Sequence, residues 1–204
     1  MTNTGKRALK KKSKFREYLE IVVTALVFAL LIRQLVIQSY HIPSESMEDT
    51  LLKGDFLFAN KFIYGAKVPF FDLRLPKVRD PKPGDVVIFK FPGDKKTDYI
   101  KRCVAVEGQT VELKGKRLFV DGVEQKEPYA KYIFGDSGRR NFGPYRVPKG
   151  YIFVMGDNRD NSYDSRYWGP LDKKLLRGKA LFIYFSLDYK KHRIRFKRIG
   201  RIIR

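Results

Sequence analysis

The sequence predicts a mainly β domain preceded by one transmembrane α-helix. Three observations carry this prediction. An apolar run of helical length lies near the N-terminus, short runs rich in Val, Ile, Phe and Tyr follow residue 40, and Gly, Pro, Asp and Asn separate those runs. The chain has 204 residues, of which 43% are hydrophobic and 14% aromatic, and this composition excludes a disordered protein.

The positive charge of the chain is concentrated at its two ends. The 43 Lys and Arg residues outnumber the 22 Asp and Glu residues, which gives a formal net charge of +21. Residues 1–16 hold seven of these cations and residues 190–204 hold eight, and neither stretch contains an acidic residue. The single cysteine, Cys103, excludes an intrachain disulfide and a cysteine-rich zinc site.

The apolar segment near the N-terminus predicts a transmembrane anchor at residues 17–39. Residues 21–32 contain one polar side chain, and the apolar stretch can be extended on both sides to the about 20 residues that a bilayer core requires. The basic residues before it predict a cytoplasmic tail at residues 1–16. Residues 40–204 are then expected to form an exported domain, and the protein is expected to be a single-pass protein of the cell membrane.

Two alternatives to an uncleaved anchor stay open. A cleaved secretory peptide has the same basic start and apolar core, but no convincing small-x-small cleavage site follows here. A buried core helix is also apolar, but such helices rarely follow seven cations without an acidic residue.

Seven short runs predict the strands of the exported domain, because β-branched and aromatic residues dominate them. They lie at residues 56–62, 86–91, 99–106, 110–113, 117–120, 152–155 and 180–186. Residues 171–177 are the one plausible helical piece of this domain. Residues 124–146, within a small excursion at about 107–150, lack periodicity and are interpreted as mobile.

The residues available for catalysis favour a serine activated by a lysine. His41 and His192 are poorly placed for a Ser-His-Asp triad, and Cys103 fits a buried strand position better than a nucleophile. A lysine is a base only when neutral, and at a pKa of about 10.4 roughly one molecule in 2,500 is neutral at pH 7. Burial lowers that pKa, and Lys101 lies in an apolar β-run, although a lysine in such a run is more often a solvated strand residue. Strand alternation predicts that Lys101 shares a face with Cys103 and Ala105.

Two further segments are rich in polar side chains, although neither requires a function. Residues 42–51 carry Ser44 and Ser46 after a proline, which also suits a turn or a helix cap. Residues 155–166 are dense in Asp, Asn, Arg and Ser. A calcium loop there is disfavoured because the glycine at its sixth position is missing.

Together these segments resemble those of the bacterial type I signal peptidases. The motifs are I-P-S-x-S-M at residues 42–47, Y-I-K-R at 99–102 and G-D-N-R-D-N-S-x-D-S-R at 156–166, in that order after an apolar segment. The resemblance extends from about residue 18 to the C-terminus. It implies a complex of coiled antiparallel β-sheets and a membrane-bound serine endopeptidase. Such an enzyme removes signal peptides from exported preproteins after small residues (Ala-x-Ala).

The resemblance also implies roles for individual residues. Ser46 is similar to the nucleophile and Lys101 to the general base of the Ser-Lys dyad. Ser44 resembles the side-chain donor of the oxyanion hole, and Ser162 resembles the residue that orients the lysine amine. The remaining residues line the substrate pockets (Ile42, Tyr99 and Ile100) or support the site structurally (Asp157, Asp164 and Arg166).

The resemblance implies no cofactor and no metal. Its partners are the signal peptides of preproteins and a lipid bilayer, with anionic phospholipids expected, and no nucleic acid. Two other function classes remain as alternatives. Self-cleaving repressors share Ser-Lys chemistry but are soluble and usually bind DNA. A non-enzymatic module would bind anionic lipid or nucleic acid through its basic ends.

Overall fold

The computed structural model describes residues 13–35, 37–65, 75–133 and 141–204 of the chain. The two α-helices among these residues are Lys14–Leu35 (α1) and Ser165–Trp168 (α2). The strands are Ile37–His41 (β1), Asp55–Asn60 (β2), Val86–Lys90 (β3), Asp98–Val106 (β4), Thr110–Lys114 (β5), Arg117–Val120 (β6), Val123–Glu124 (β7), Phe142–Arg146 (β8), Tyr151–Met155 (β9), Leu171–Asp172 (β10), Leu176–Asp188 (β11) and Arg193–Ile194 (β12). The prediction of a mainly β protein is confirmed.

Within the described residues the strands form two antiparallel sheets. The larger sheet has eight strands in the order β1-β2-β11-β3-β4-β9-β10, with β12 paired to β11. The smaller sheet has four strands in the order β7-β6-β5-β8. Register shifts interrupt the pairing of β11 with β2 and with β3, and of β4 with β9, which is typical of strongly coiled sheets.

Strand β3 lies at the centre of the larger sheet and is buried on both faces. Val86 and Ile88 pack into the apolar cluster on one face, and Val87 and Phe89 pack into the cluster on the other. Such a continuous apolar run suits a central strand, whereas a half-solvated strand would alternate. This strand holds β4, its neighbour, in a fixed position.

Strand β4 changes partners along its length. It pairs with β3 from Asp98 to Arg102, and with β9 from Arg102 to Val106. On the side away from β3, no strand of the described chain pairs with its first residues. The predicted alternation also fails beyond Cys103, because a register shift lies between Cys103 and Ala105. Ala105 packs into a different apolar cluster from Cys103.

Two sequence expectations about local structure are wrong. Residues 171–177 are not a helix: they form β10, a 3-10 turn at Lys173–Leu175 and the start of β11. The Asp172 side chain accepts a hydrogen bond from the Lys174 backbone N–H and so closes that turn. The expected anchor at residues 17–39 is also too long, because Ile37–His41 pairs with β2 as strand β1.

Helix α1 carries the apolar segment that the sequence assigned to a membrane anchor. Its side chains from Tyr18 to Leu30 include nine large apolar ones that are 49–68% exposed. No helix in the described ranges is long and apolar enough to meet the requirements of a membrane span. The anchor is therefore not confirmed at this point. Most of the predicted basic tail, residues 1–12, lies outside the described residues.

The expected excursion at about residues 107–150 contains all four strands of the smaller sheet. Residues 124–146, interpreted from the sequence as mobile, include strand β8, while residues 134–140 lie outside the described residues. The basic C-terminal segment also has a structural part. Arg198 is buried and forms an ion pair with Asp55, and Ile203 belongs to the apolar core.

Candidate active site

Ser46 lies in a turn that follows β1. Backbone hydrogen bonds from Ile42 N to Asp55 O and from Gly54 N to Ile42 O close the loop between β1 and β2. Met47 and Leu51 are fully buried and hold the turn against the core. Ser46 is 8% exposed, which places its hydroxyl at the edge of the core rather than in solvent.

Lys101, on β4, points its amine at this hydroxyl. Its Nζ lies 2.7 Å from Ser46 Oγ and 3.1 Å from the carbonyl oxygen of Ile100, and the ring centroid of Tyr99 lies 5.5 Å away. The residue is 4% exposed. No carboxylate in the described chain forms an ion pair with it. A buried ammonium group with neutral neighbours is poorly stabilised.

The environment of Lys101 makes it a plausible base. Burial lowers its pKa to about 8, although the more distant charges of Asp164 and Asp157 oppose that shift. With that pKa, about one molecule in ten is neutral at pH 7, against roughly one in 2,500 for an exposed lysine. A neutral amine at hydrogen-bond distance from a hydroxyl can remove its proton.

The two other serines assigned to the site differ in their surroundings. Ser44 is exposed, and its Oγ lies 3.5 Å from Ser46 Oγ. Ser162 is 7% exposed, and its Oγ has no hydrogen-bond partner in the described structure. The hydrogen bond expected between Ser162 and Lys101 is therefore not formed, although both side chains line the same cleft.

Gly156 brings Ser162 and the Ser46 turn together, and the sequence analysis gave it no role. A Cβ atom at this position would lie 2.2 Å from Ser162 Oγ and 2.5 Å from the carbonyl oxygen of Ser46. Any side chain would therefore push the two serines apart. The signal in the sequence was a glycine directly after the apolar run that forms β9.

Asp157 is fully buried and forms an ion pair with Arg102, which follows Lys101 on β4. Its two oxygens accept hydrogen bonds from Arg102 Nε and Nη2 at 2.8 and 2.7 Å. The hydroxyl of Thr50 donates to it at 2.6 Å. The predicted supporting role of Asp157 thus has a partner that the sequence analysis missed, Arg102.

Asp164 and Arg166 form a second buried ion pair. The carboxylate accepts from Arg166 Nε and Nη2, both at 2.8 Å, and from the backbone N–H groups of Arg166 and Gly156. Arg166 also donates to the carbonyl oxygen of Arg159 at 2.6 Å. These bonds fix the path of residues 156–166 around the site.

Two further residues hold this segment against the Ser46 turn. The Asn158 backbone N–H donates to the carbonyl oxygen of Ser46 at 3.1 Å, and its side-chain amide donates to that of Glu45 at 3.1 Å. Arg159 is buried and forms a bidentate ion pair with Glu127, both bonds being 2.7 Å long. Sequence reasoning missed both. Glu127 lies in the region interpreted as mobile, and the Ser46 turn is far from Asn158 in the sequence.

An open cleft of about 550 Å³ gives access to Ser46 and Lys101. The three residues assigned to substrate binding, Ile42, Tyr99 and Ile100, all line it. Its other lining residues are Tyr40, His41, Pro43, Ser44, Ile88, Thr97, Asp98, Asp160, Asn161, Ser162, Tyr163 and Tyr167. No cluster of three or more His, Cys, Asp or Glu side chains that could hold a metal ion occurs in the described ranges.

The sequence profile of the family described as signal peptidase, peptidase S26, matches residues 15–185. The chain belongs to this family. It is 34% identical to signal peptidase I of Pseudomonas fluorescens over 95% of this chain and 81% of that protein. It is 36% identical to signal peptidase I P of Bacillus subtilis subsp. natto over 91% of this chain and 96% of that protein.

A solved structure is also similar to the chain. The crystal structure of a signal peptidase I from Enterococcus faecalis V583 has a TM-score of 0.44 and 27% identity, covering 50% of this chain and 98% of its own. Family membership confirms the resemblance drawn from the motifs. The protein is a serine peptidase, and its activity is the cleavage of signal peptides from preproteins.

Proposed function

We propose that the protein is a membrane-bound signal peptidase in which Ser46 is the nucleophile and Lys101 the general base. One observation carries this assignment. The Lys101 amine is buried, forms no ion pair within the described residues, and lies 2.7 Å from the Ser46 hydroxyl. Acyl transfer by a serine requires such a base, because the hydroxyl is a weak nucleophile while protonated.

The first half of the reaction forms an acyl-enzyme. Neutral Lys101 accepts the Ser46 proton as Oγ attacks the carbonyl carbon that precedes the scissile bond. The tetrahedral intermediate collapses when the C–N bond breaks, and the protonated lysine donates its proton to the leaving amine. The mature protein leaves with a new N-terminus, and the signal peptide remains esterified to Ser46.

The second half releases the signal peptide. Lys101 is neutral again and takes a proton from a water molecule, which attacks the ester carbonyl. Collapse of the second intermediate breaks the bond to Ser46 Oγ, and the lysine returns the proton to that oxygen. One buried amine therefore serves both halves, and the atoms balance without a cofactor.

The negative charge of each intermediate needs hydrogen-bond donors near Ser46. The hydroxyl of Ser44, 3.5 Å from Ser46 Oγ, and the backbone N–H of Ser46 are the donors that we assign to this oxyanion hole. Because Ser44 is exposed, its hydroxyl can rotate toward a substrate oxygen without breaking a buried contact.

The cleft supports specificity for small side chains next to the scissile bond. Ile42 is buried, Tyr99 and Ile100 are half-buried, and all three present apolar surface to the cleft beside the nucleophile. Among the described residues, no strand pairs with the first residues of β4 on the side away from β3. A substrate in extended form can pair with that edge and direct alternate side chains into the cleft. We assign the preference for Ala-x-Ala to this arrangement.

We also propose that α1 anchors the protein in the membrane, with the N-terminus on the cytoplasmic side. Exposed apolar side chains on all faces of a helix are unfavourable in water but favourable in lipid. The cations of residues 1–16 set the orientation. The anchor then ends close to β1, which leads directly into the Ser46 turn.

Cleavage of a model preprotein by the full-length protein in detergent tests the catalytic assignment. Mass spectrometry of the products gives the cleavage position, which we expect after an Ala-x-Ala sequence. Ser46→Ala should remove activity, whereas Ser39→Ala, which also deletes one hydroxyl but lies outside the cleft, should retain it. Wild-type activity of the Ser46→Ala protein would show that another residue is the nucleophile.

Carbonate extraction of membranes tests the anchor. The full-length chain should stay with the membrane, and a chain that lacks residues 1–35 should be extracted. That truncation keeps β1 intact, since β1 begins at Ile37. A truncated protein that is folded by circular dichroism but still resists extraction would contradict the assignment to α1.

A further inference from the structure

The basic stretch at residues 190–204 contains one cation that does not lie at the surface. All eight of its lysines and arginines belong to the described residues, and among them Arg198 alone is buried, being 9% exposed. The family profile ends at residue 185, before this stretch begins. Arginines are almost never buried in proteins unless they are paired, so that the position of Arg198 needs a structural reason.

Residues 193–204, here called the C-terminal segment, fold back along β11. Strand β12 pairs with the end of β11, and backbone hydrogen bonds continue the contact. The N–H of Ile183 donates to the carbonyl oxygen of Arg201 at 3.0 Å, and the N–H of Gly200 donates to that of Ile183 at 2.7 Å. The C-terminal segment is therefore a folded part of the larger sheet.

The guanidinium of Arg198 forms an ion pair with Asp55, which is fully buried. Its Nε lies 3.0 Å from Oδ1 of this carboxylate, and its Nη2 donates to Oδ2. The same carboxylate accepts hydrogen bonds from the hydroxyl of Ser186, on β11, at 2.6 Å and from the backbone N–H of Leu52 at 2.8 Å. Asp55 therefore joins the C-terminal segment to the loop between β1 and β2, which contains the Ser46 turn.

Arg198 also contacts this loop directly. Its Nη2 donates to the carbonyl oxygen of Thr50 at 2.9 Å. Thr50 lies four residues beyond Ser46, and its hydroxyl donates to Asp157 at 2.6 Å. Asp157 is paired in turn with Arg102, which follows the proposed base on β4. Thr50 is thus held on one side by the C-terminal segment and on the other side by the strand that carries the base.

The end of the C-terminal segment contacts the same two elements. Ile203 is 5% exposed and belongs to the apolar cluster that contains Met47 and Leu51 of the Ser46 turn. The backbone oxygen of Arg204 accepts a hydrogen bond from Arg102 Nη1 at 2.9 Å. The segment therefore packs with the turn of the nucleophile and binds the strand of the base.

We propose that Arg198 is a positioning residue, which acts through Thr50 to hold the Ser46 turn where its hydroxyl meets the amine of Lys101. The inference rests on the proposed dyad, because Arg198 touches none of the reacting atoms. Precise placement matters, since a displacement of about 1 Å can cost about 100-fold in rate. The C-terminal segment then supports the active site in addition to carrying positive charge.

The substrate cleft does not depend on Arg198 in the same way. Ile42 is held by backbone hydrogen bonds with Gly54 and Asp55, and the other two residues assigned to substrate binding belong to β4. Both halves of the proposed reaction use the same serine and lysine, so that a displaced Ser46 turn slows whichever half limits the rate. Loss of the Arg198 contacts should therefore lower kcat and leave KM nearly unchanged.

Steady-state cleavage of a model preprotein by the full-length protein, in detergent without lipid, tests the proposal. Arg198→Met removes every donor of this side chain and should lower kcat at least tenfold. Lys197→Met is the matched control, because it removes a cation from the adjacent exposed position and should keep the wild-type kcat. Both variants lose one positive charge, so that an effect of net charge would appear in both. Rates are expressed per folded molecule, as measured by circular dichroism.

The pH dependence of kcat separates a change of position from a change of ionisation. Burial lowers the pKa of Lys101 to about 8, and the charges that adjust this pKa lie outside the C-terminal segment, on Asp164, Asp157 and Arg166. The midpoint for Arg198→Met should therefore equal that of the wild-type protein while the plateau falls. A purely structural role predicts a lower unfolding temperature and a wild-type kcat for the molecules that are folded.

A second variant keeps the test valid if Arg198→Met is not folded. Arg198→Lys retains the charge opposite Asp55 but not the fork of donors, and its kcat should fall by a smaller factor. The proposal is overturned if the folded variant has the wild-type kcat, if only KM changes, if the pH midpoint moves, or if Lys197→Met loses as much activity.

Lys101→Met, measured in the same assay, separates this proposal from the proposed function. Activity of Lys101→Met would show that the dyad itself is wrong. An inactive Lys101→Met together with a wild-type kcat of folded Arg198→Met would overturn the positioning role alone.

Discussion

Lys101 and Arg102 are adjacent cations on β4, and both are buried, yet their partners differ. Arg102 donates two hydrogen bonds to Asp157, donates to the carbonyl oxygens of Gly84 and Arg204, and stacks at 3.8 Å on the ring of Tyr129. The hydrogen bonds of Lys101 go to a serine hydroxyl and one carbonyl oxygen, with no carboxylate among its described contacts.

On the proposed mechanism, β4 carries a structural cation and a base at adjacent positions. The positive charge of Arg102 is compensated, and an arginine does not lose its proton at any accessible pH. Lys101 is buried as well, but within the described residues no carboxylate forms an ion pair with it, and burial lowers its pKa to about 8. In the mechanism that we propose, this lack of an ion pair is what allows the lysine to act as the base.

Among the variants that test this comparison, Lys101→Arg should have the largest effect, which is on kcat/KM. The substitution keeps the charge but replaces a base by a group that cannot accept a proton, so kcat/KM should fall about 10²–10⁴-fold, as for loss of a general base. Rates of preprotein cleavage by folded protein measure the effect. Arg102→Lys serves as the control, because it changes stability but leaves the base in place. Substantial activity of Lys101→Arg would exclude the general-base role.

Asp157→Asn tests the structural half of the comparison. Removing one partner of a buried ion pair leaves Arg102 uncompensated, and the free energy of unfolding should fall by about 3–5 kcal/mol. Urea unfolding measures this loss. Folded protein should keep the shape of its pH–rate profile, with the midpoint unchanged or lower, since Asp157 raises the Lys101 pKa. A decrease in the free energy of unfolding of less than about 1 kcal/mol would show that the ion pair contributes little to stability.

Lys101→Met should give an inactive but more stable protein. The folded-state pKa of about 8 lies below the ordinary 10.5, so the unfolded chain binds the proton more tightly. The stability of the wild-type protein therefore rises with pH between these values. The free-energy cost of burying the protonated amine is fully present below pH 8. We expect the substitution to add about 1–3 kcal/mol at pH 7, and the gain to shrink as the pH approaches 10.5. Denaturant unfolding at both pH values measures it; a variant less stable than wild type at pH 7 would contradict the account.

Ser162→Ala should have the smallest effect on stability. Its hydroxyl is buried and has no hydrogen-bond partner among the described residues, so the free energy of unfolding should change by about 0.5 kcal/mol or less. If Ser162 orients the amine during the reaction, the cleavage rate falls about tenfold while stability is kept. Ser165→Ala is the matched control, because Ser165 Oγ accepts a hydrogen bond from the buried Val154 N–H. The Ser165→Ala protein should be less stable than wild type. Equal cleavage rates for wild type and Ser162→Ala would show that Ser162 does not orient the amine.

The sequence predicted the class of fold and the pair of residues that meet in the site, because both depend on local patterns. The run that forms β3 is almost entirely apolar, β4 is rich in β-branched and aromatic residues, and the motifs around Ser46 and Lys101 have fixed residue types at fixed spacing. The candidate base could also be chosen on chemical grounds, since it is a lysine within an apolar run.

The sequence did not predict features that depend on contacts between distant segments. Arg102 and Asp157 are 55 positions apart, and nothing local identifies the carboxylate that compensates the arginine. The register shift after Cys103 changes which side chains share a face, and a two-residue period cannot anticipate it. Strand β1 was missed because its apolar start continues the run of α1, and only pairing with β2 separates the two.

The ionisation of Lys101 is the most direct test of the central claim that an uncompensated buried amine is the base. NMR titration of the lysine side-chain carbons next to the amines, in protein labelled at lysine and with Lys101→Met to assign the signal, measures its pKa. The account predicts a midpoint near 8 for this lysine, well below the values of the exposed lysines. A midpoint at about 10.4, the ordinary value of a lysine, would show that Lys101 is protonated at neutral pH and would contradict the account.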